Sequence, residues 1–382
     1  MNLDHNAGGR VRPEVIDAVT DWLREDAANP SSVHAAGRRA REAVEAARDA
    51  VAALVDARPG QVVFTSGGTE ANNLAIRGVV EAGAHVVSST IEHASVLRPL
   101  DAVRARGCQV TLLEPARDGS IAPARVAAAL RGDTRLVTIG WANGEIGTVQ
   151  PIEEIAAAVR EHACGAVLHS DAVQAAGACA IDLGRVPLDL VSLSGHKIGA
   201  LPGVGALIVR RDVGVTAQML GGPHERDLRA GTENVPGIVS FGVAARLARV
   251  ERASSQDHLR RVRARVLHVL EAAAPLVVHG APEGLPGTLS VAFPGLRADA
   301  LVIALDLEGV AAATGPACAA GAAEPSHVLR AIGCADDVVR ATLRLSFGAD
   351  LSLDDAERAA RGVVACVARA RDRRAAGVGH AA

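Results

Sequence analysis

Lys197 closes the run Ser192-Leu193-Ser194-Gly195-His196-Lys197, just past the apolar stretch 188–193. A lysine carried beyond the end of a buried strand can hold a carbonyl cofactor as a Schiff base, which is how pyridoxal phosphate (PLP) is bound. Such a cofactor needs further partners, and several segments offer them. Ser66-Gly67-Gly68-Thr69-Glu70 follows an apolar run and opens a helical one. Glycines there let the backbone approach an anion, and a helix N-terminus presents free N–H groups with a favourable dipole. A plain strand-to-helix turn capped by Thr69 would look the same. Asp171 ends the segment 167–171, with Gln174 three residues on. A carboxylate at the end of a buried strand needs a cationic partner, and a protonated pyridine nitrogen is one. Gln174 would then reach the ring's phenolic oxygen. Without Lys197, Asp171 reads as a helix cap.

Three more residues suit chemistry at such a ring. His93, in Thr90-Ile91-Glu92-His93, follows a strand and can stack on a flat ring and move protons near neutrality, although lone histidines at strand ends are often structural. Cys318 lies in a run of small residues from Thr314 to Ala323, which reads as a loop presenting a thiol rather than a core cysteine. Arg344 alternates within the strand-like run Thr342-Leu343-Arg344-Leu345-Ser346 and can clamp a carboxylate through two parallel hydrogen bonds; a surface salt bridge is the plainer alternative.

The elements that must position these residues are legible as alternation. Apolar runs at 61–65, 85–90, 108–113, 135–140, 166–170, 188–193 and 204–209 are mostly separated by helical segments near 70–82, 94–106, 122–131 and 151–163, after an amphipathic helix over 38–55. Strands alternating with helices imply a mainly parallel sheet covered on both faces, with ligands beyond the strands' carboxyl ends. A long helix is expected over 236–273. Beyond it, strand-like runs near 276–278, 288–293 and 342–346 and helices near 298–306, 326–332 and 353–371 suggest a smaller α+β domain, against which the first dozen residues pack. The division expected is 15–248 for the large domain, and 1–14 with 249–382 for the small one.

Composition narrows the class. The chain has 382 residues, 49% hydrophobic and 22% charged, with a net charge of −3, an ordinary globular mix. No basic stripe points to nucleic acid and no apolar run is long enough for a membrane span. The N-terminus shows no secretory pattern, and the six cysteines lack CxxC spacing. That argues against disulfides or a metal site and for a cytoplasmic protein with reduced thiols. Tyrosine is absent, so any acid, base or stacking role falls to other residues.

The ordered motifs NPSSVH (29–34), FTSGGTEANNLAI (64–76), IEHASVL (91–97), EIGTVQPI (145–152), SDAVQAAG (170–177), SLSGHK (192–197), RAGTENVPGIV (229–239), ATGPACAAG (313–321), EPSHVL (324–329) and LRLSFG (343–348) span nearly the whole chain. In them the sequence resembles cysteine desulfurases of the NifS/IscS type, within the fold-type I PLP enzymes of the class V aminotransferase group. The resemblance implies a seven-stranded sheet in the large domain. It implies that Lys197 carries PLP, Asp171 pairs with the pyridine nitrogen, Gln174 with the phenolic oxygen, and His93 stacks on the ring. Gly68, Thr69, Ser194 and His196 would hold the phosphate, and Thr232 would reach the phosphate of the neighbouring subunit in a homodimer. Arg344, with Asn29 near it, would bind the carboxylate of L-cysteine. Cys318, on a mobile loop at about 314–324, would receive the sulfur as a persulfide for a sulfur-acceptor or scaffold protein, in iron–sulfur cluster assembly or in tRNA or thiocofactor thiolation. Selenocysteine lyase or another class V PLP enzyme is the alternative. The chain departs from the family at Gly144, where an asparagine is usual, leaving water or Asn143 to substitute. It also departs at Ala7-Gly8-Gly9, at Ala200-Leu201-Pro202-Gly203, and at Pro316, which is expected to stiffen the approach to the thiol.

Overall fold

In the computed structural model, residues 1–25, 28–162, 165–210, 212–315 and 325–375 are described. The strands are β1 (Val62–Thr65), β2 (His85–Ser89), β3 (Gln109–Leu113), β4 (Thr134–Thr138), β5 (Val167–Asp171), β6 (Leu190–Ser194), β7 (Gly205–Val209), β8 (Val277–His279), β9 (Thr288–Ala292) and β10 (Thr342–Ser346). The helices are α1 (Pro13–Arg24), α2 (Ala35–Leu54), α3 (Gly68–Val79), α4 (Ala94–Ala105), α5 (Pro123–Ala129), α6 (Ile152–His162), α7 (Val235–Ala273), α8 (Ala298–Leu307), α9 (His327–Ala331), α10 (Asp336–Arg340) and α11 (Leu353–Ala375). β1 to β7 form one seven-stranded sheet in the order β1-β7-β6-β5-β4-β2-β3. All of its pairings are parallel except those of β7, which runs against both β1 and β6. Two reversals cancel, so β1 points the same way as β6, β5, β4 and β2. Their carboxyl ends share one edge, and the segments carrying Gly68, Lys197, Asp171, Asn143 and His93 all leave from it.

Near-continuous burial along β1, β2, β6 and β7 is what a sheet covered on both faces requires. One face packs against α2 and the first part of α7 through residues such as Val44, Val51, Phe64, Leu193 and Phe241. The other packs against α3 and α4 through Leu74, Ile76, Val86, Leu100 and Leu207.

A separate antiparallel sheet, ordered β10-β9-β8, carries its own core with α8, α11 and the far part of α7. The 39-residue α7 joins the two: Ile238, Phe241 and Ala245 enter the first core, Val262, Val266 and Leu270 the second. The N-terminal residues belong with the small sheet: Leu3 is fully buried in its core, and Asp4 bridges Ser346 of β10. β10 thereby brings Arg344 and the N-terminal segment to the large sheet's functional edge together.

Candidate active site

The turn after β1 has backbone that can receive an anion. Gly67 has φ 156° and ψ 179°, a conformation close to exclusive to glycine, and it caps the 12-residue α3. Gly68 is buried. A Cβ added there would stand 2.5 Å from Val173 Cγ2 and 3.5 Å from Ser194 Cβ, so backbone, the loop after β5 and the end of β6 converge at that point. Ser194 Oγ lies 2.9 Å from His196 Nδ1. Burial, helped by the Lys197 charge, pushes His196 down to about 4, so it is neutral at physiological pH. Thr69 is exposed on the first turn of α3, while Ser66 N–H donates to Glu70, which also pairs with Arg229 at 3.1 Å.

A polar chain runs from His93 to Asp171. Asp171 Oδ1 accepts from Val173 N–H at 2.9 Å and Oδ2 from Asn72 Nδ2 at 2.7 Å. Asn72 Nδ2 also reaches Ser95 Oγ at 2.8 Å, and Ser95 Oγ lies 2.7 Å from His93 Nδ1. The Ser95 N–H donates to the same Nδ1 at 3.1 Å, which assigns the His93 proton to Nε2. His93 is exposed, yet burial by the surrounding protein pushes it below the usual imidazole range; Asp171 opposes this, and the charges of Lys197 and His327 add to it. Beneath it Glu92 is buried, accepting from Ser89 Oγ at 2.5 Å and Gly140 N–H at 2.9 Å, and burial pushes its carboxyl up to about 7.

Lys197 ends the short helical turn after β6. Its Nζ donates to the main-chain oxygens of Asn6 at 2.5 Å and Ala7 at 3.0 Å. Gln174 Nε2 donates to the same Asn6 oxygen at 3.2 Å, while Asn6 Nδ2 reaches Gly144 O at 2.9 Å and Thr288 Oγ1 at 2.8 Å. Asn6 thus ties the lysine, both sheets and the loop at Gly144 together. Arg344 is 4% exposed and gives Nη2 to Asp4 at 2.5 Å, while its Nε is buried without a partner among the described residues.

Lys197, Asp171, His93, Gln174, Gly68, Ser194 and His196 therefore converge on one edge, with Arg344 beside them across the N-terminal segment. Asn143 lies there but is spent on its own turn: Oδ1 accepts from the amides of Glu145 and Ile146, and Nδ2 donates to Ile91 O. To stand in for the side chain missing at Gly144 and contact a ligand, it would have to open those three bonds. Gly144 itself is closed by Gln174, whose Cδ and Nε2 would each lie 2.7 Å from an added Cβ. Asn29 is exposed, its Oδ1 taken by Ser31 N–H, and it makes no hydrogen bond to Arg344 among the described residues. Thr232 is exposed beyond Arg229. Cys318 and Pro316 lie outside the described residues. Asp4, Asn6, Asn72, Glu92 and Glu145 were missed by sequence reasoning. Asn72, Glu92 and Glu145 fall inside the quoted motifs 64–76, 91–97 and 145–152, which was the signal that could have found them; Asp4 and Asn6 fall in none.

These side chains fit a PLP-sized group. Glycine backbone opens at a helix N-terminus, a carboxylate stands at a strand end, and an amine and an imidazole leave the same sheet edge. The sequence matches the Aminotransferase class-V family over residues 1–358. It is 42% identical to a protein named cysteine desulfurase IscS from Anaeromyxobacter sp. (strain Fw109-5), over 97% of this chain and 93% of that one. Among solved structures, one titled NifS-like protein superposes with a TM-score of 0.91 at 28% identity, over 97% of this chain and 99% of that one. Another, titled SspA in complex with cysteine, gives 0.80 at 33% identity, over 91% and 98%. The chain belongs to the aminotransferase class-V family and is a PLP-dependent enzyme.

Proposed function

We propose that this enzyme is a cysteine desulfurase, converting L-cysteine to L-alanine and passing the sulfur to Cys318. The observation that carries the reading is the convergence of Lys197, His93 and Asp171 beside the nearly buried cation Arg344, in a chain 42% identical to a protein named for that activity. PLP, when bound, supplies an electron sink for charge developing at the substrate Cα. Gly68, Thr69, Ser194 and His196 would hold its phosphate, Asp171 its ring nitrogen and Gln174 its phenolic oxygen. Asp171 can serve as that anion because Asn72 and Val173 fix its orientation.

Lys197 is the group placed to take the Cα proton and return it, and the carbonyls of Asn6 and Ala7 steady its amine. Arg344 orients the substrate through its carboxylate. His93, neutral and with its proton on Nε2, can move protons between thiols. The Cys318 thiolate attacks the substrate sulfur. A sulfur–sulfur bond forms as the carbon–sulfur bond breaks, the bonding pair staying with carbon. Protonation of that carbon completes alanine, and Cys318 keeps the sulfur as a persulfide for an acceptor protein. Iron–sulfur cluster assembly and tRNA or thiocofactor thiolation are the routes such a donor serves. A homodimer in which Thr232 reaches the partner's phosphate site fits the exposure of Thr232 and of the nearby Met219 and Leu220. Division into domains near residue 248 fits the two cores that α7 joins. Among the described residues no helix is long and apolar enough to cross a membrane.

The deciding experiment incubates the enzyme with L-cysteine and measures alanine together with the mass of the peptide containing Cys318. Wild type is expected to form both alanine and a persulfide. Cys318→Ala is expected to keep its cofactor absorbance and lose turnover; unchanged sulfide release from that variant would reject the desulfurase reading. Gly68→Ala tests the cradle. Its new methyl must displace Val173 or the first turn of α3, so cofactor retention should weaken by about ten- to a hundred-fold, the loss of one charge-assisted hydrogen bond. Cofactor release on dilution, followed by absorbance, measures it.

A further inference from the structure

Glu145 is a buried acid that the reaction above leaves unused. It is 5% exposed, on the loop between β4 and α6, and among the described residues neither carboxyl oxygen makes a well-formed hydrogen bond. Asn143 Oδ1 holds its amide at 2.9 Å, so the turn sets its direction. Among the described residues, the groups that face it are the Arg344 guanidinium on β10, the Ser326 hydroxyl capping α9, and the backbone at Gly315, where an added Cβ would stand 3.6 Å from Oε1. Asp4 flanks Arg344 on the N-terminal segment, next to His5, whose own pKa is lowered chiefly by burial. His327, beside Ser326, is held at Nε2 by Glu92 O at 3.0 Å.

We propose that Glu145 is a positioning residue whose protonation is linked to substrate: it stays uncharged while Arg344 receives the substrate carboxylate, and when ionised it claims Arg344 for itself. The inference deepens the proposed function and rests on Arg344 being the carboxylate site. Charge counting carries it. Arg344 brings one positive charge and Asp4 already one negative. The substrate carboxylate adds a second negative charge, and an ionised Glu145 would add a third in a space nearly closed to water, where an uncompensated charge costs several kcal/mol. The unpartnered Nε of Arg344 and the unpartnered oxygens of Glu145 are the atoms such an exchange requires. Burial pushes the Glu145 carboxyl up to about 7, against the Ser326 hydroxyl and the Arg344 charge, so the exchange falls within the working pH range. The sign follows: below that pH the acid is neutral and affinity for a carboxylate is constant; above it, affinity falls by up to about tenfold per pH unit.

Propionate is a suitable probe, having neither amine nor thiol and remaining ionised from about pH 6 to about pH 9. Its affinity for the holoenzyme would be followed by ligand-observed NMR across that range. Wild type is expected to bind evenly up to about pH 7 and progressively more weakly above it. Glu145→Gln, which copies the neutral acid, should bind at every pH as wild type does at low pH. If Glu145→Gln keeps the wild-type break while Arg344→Gln loses binding, the Arg344 assignment stands and this inference falls. If Arg344→Gln binds propionate as wild type does, the assignment of Arg344 itself fails. Infrared spectra give an independent reading: subtracting Glu145→Gln from wild type cancels the band of Glu92, which burial also raises to about 7, and should leave one neutral carboxyl band that disappears as pH rises through 7. Absence of that band from the subtraction at pH 6 would also overturn the inference.

Discussion

Lys197→Ala is expected to abolish alanine formation from L-cysteine, a fall of about 10⁴-fold or more, while the protein stays folded. Two losses combine. A positioned general base contributes about 10²–10⁴-fold by itself, and this lysine is also the proposed covalent anchor of the cofactor. The fold is spared because the side chain leaves a short turn after β6, and Asn6, one of its two acceptor residues, keeps other ties. Asn6 O retains Gln174, and Asn6 Nδ2 retains Gly144 and Thr288. Lys197→Arg should be nearly as inactive, since it restores the charge without a competent nucleophile. Alanine by mass spectrometry, set beside cofactor content and thermal unfolding, measures all three. More than about a hundredth of wild-type turnover in either variant would exceed what the loss of a general base allows and would place proton abstraction elsewhere.

The sheet could be read ahead of the structure because its strands are buried on both faces and so appear as short apolar runs; the runs at 61–65, 85–90, 166–170 and 204–209 coincide with strands to within a few residues. Apolar pattern carries no direction, however, and the antiparallel course of β7 was not legible. Nor was α1, although Pro13 opens it and Val15 and Val19 are its buried face. A four-residue spacing in one short segment is too little signal to stand out. At the site, the residues that announced themselves are those on the sheet's own edge: Lys197, Asp171, His93 and the glycines of 67–68. What completes them comes from far along the chain. Asp4 meets Arg344 across 340 positions, and Asn6 meets Lys197 across 191. Such meetings depend on β10 pairing with the N-terminal segment, which no local pattern encodes.

The largest effect on stability is expected at Glu225, far from any proposed chemical step. Its carboxylate takes Arg48 in a two-bond fork, at 2.8 and 2.9 Å, and also accepts the Phe64 amide of β1 at 2.7 Å. The side chains are only 9% and 3% exposed, so Glu225→Ala leaves a buried guanidinium with only the solvent-exposed Glu45, at 3.1 Å, as counter-charge and a strand amide without its acceptor. Breaking one side of such a pair costs about 3–5 kcal/mol. By contrast, removing Glu153 from its exposed pair with Arg185, 52% and 69% open to solvent, should cost about 1 kcal/mol or less. A second cost follows from the backbone. Glu225, Arg226 and Asp227 all have positive φ, at 45°, 58° and 62°, a conformation that disfavours each side-chain-bearing residue by about 1–2 kcal/mol. The fork to Arg48 and the bond to β1 hold that run in place, so without them it should relax and carry Arg229 away from Glu70 at the start of α3. Glu225→Ala is therefore expected to lower the denaturation midpoint and, under conditions where it remains folded, to release cofactor as readily as Arg229→Ala. Equal midpoints for Glu225→Ala and Glu153→Ala would reject the buried-pair argument. Normal cofactor retention in a destabilised Glu225→Ala would separate the strained turn from the phosphate cradle. Replacing both partners with Arg48→Met and Glu225→Leu should recover part of the lost stability, because no charge then remains buried, but not the cofactor retention, because the Phe64 amide and the left-handed turn still lack their carboxylate.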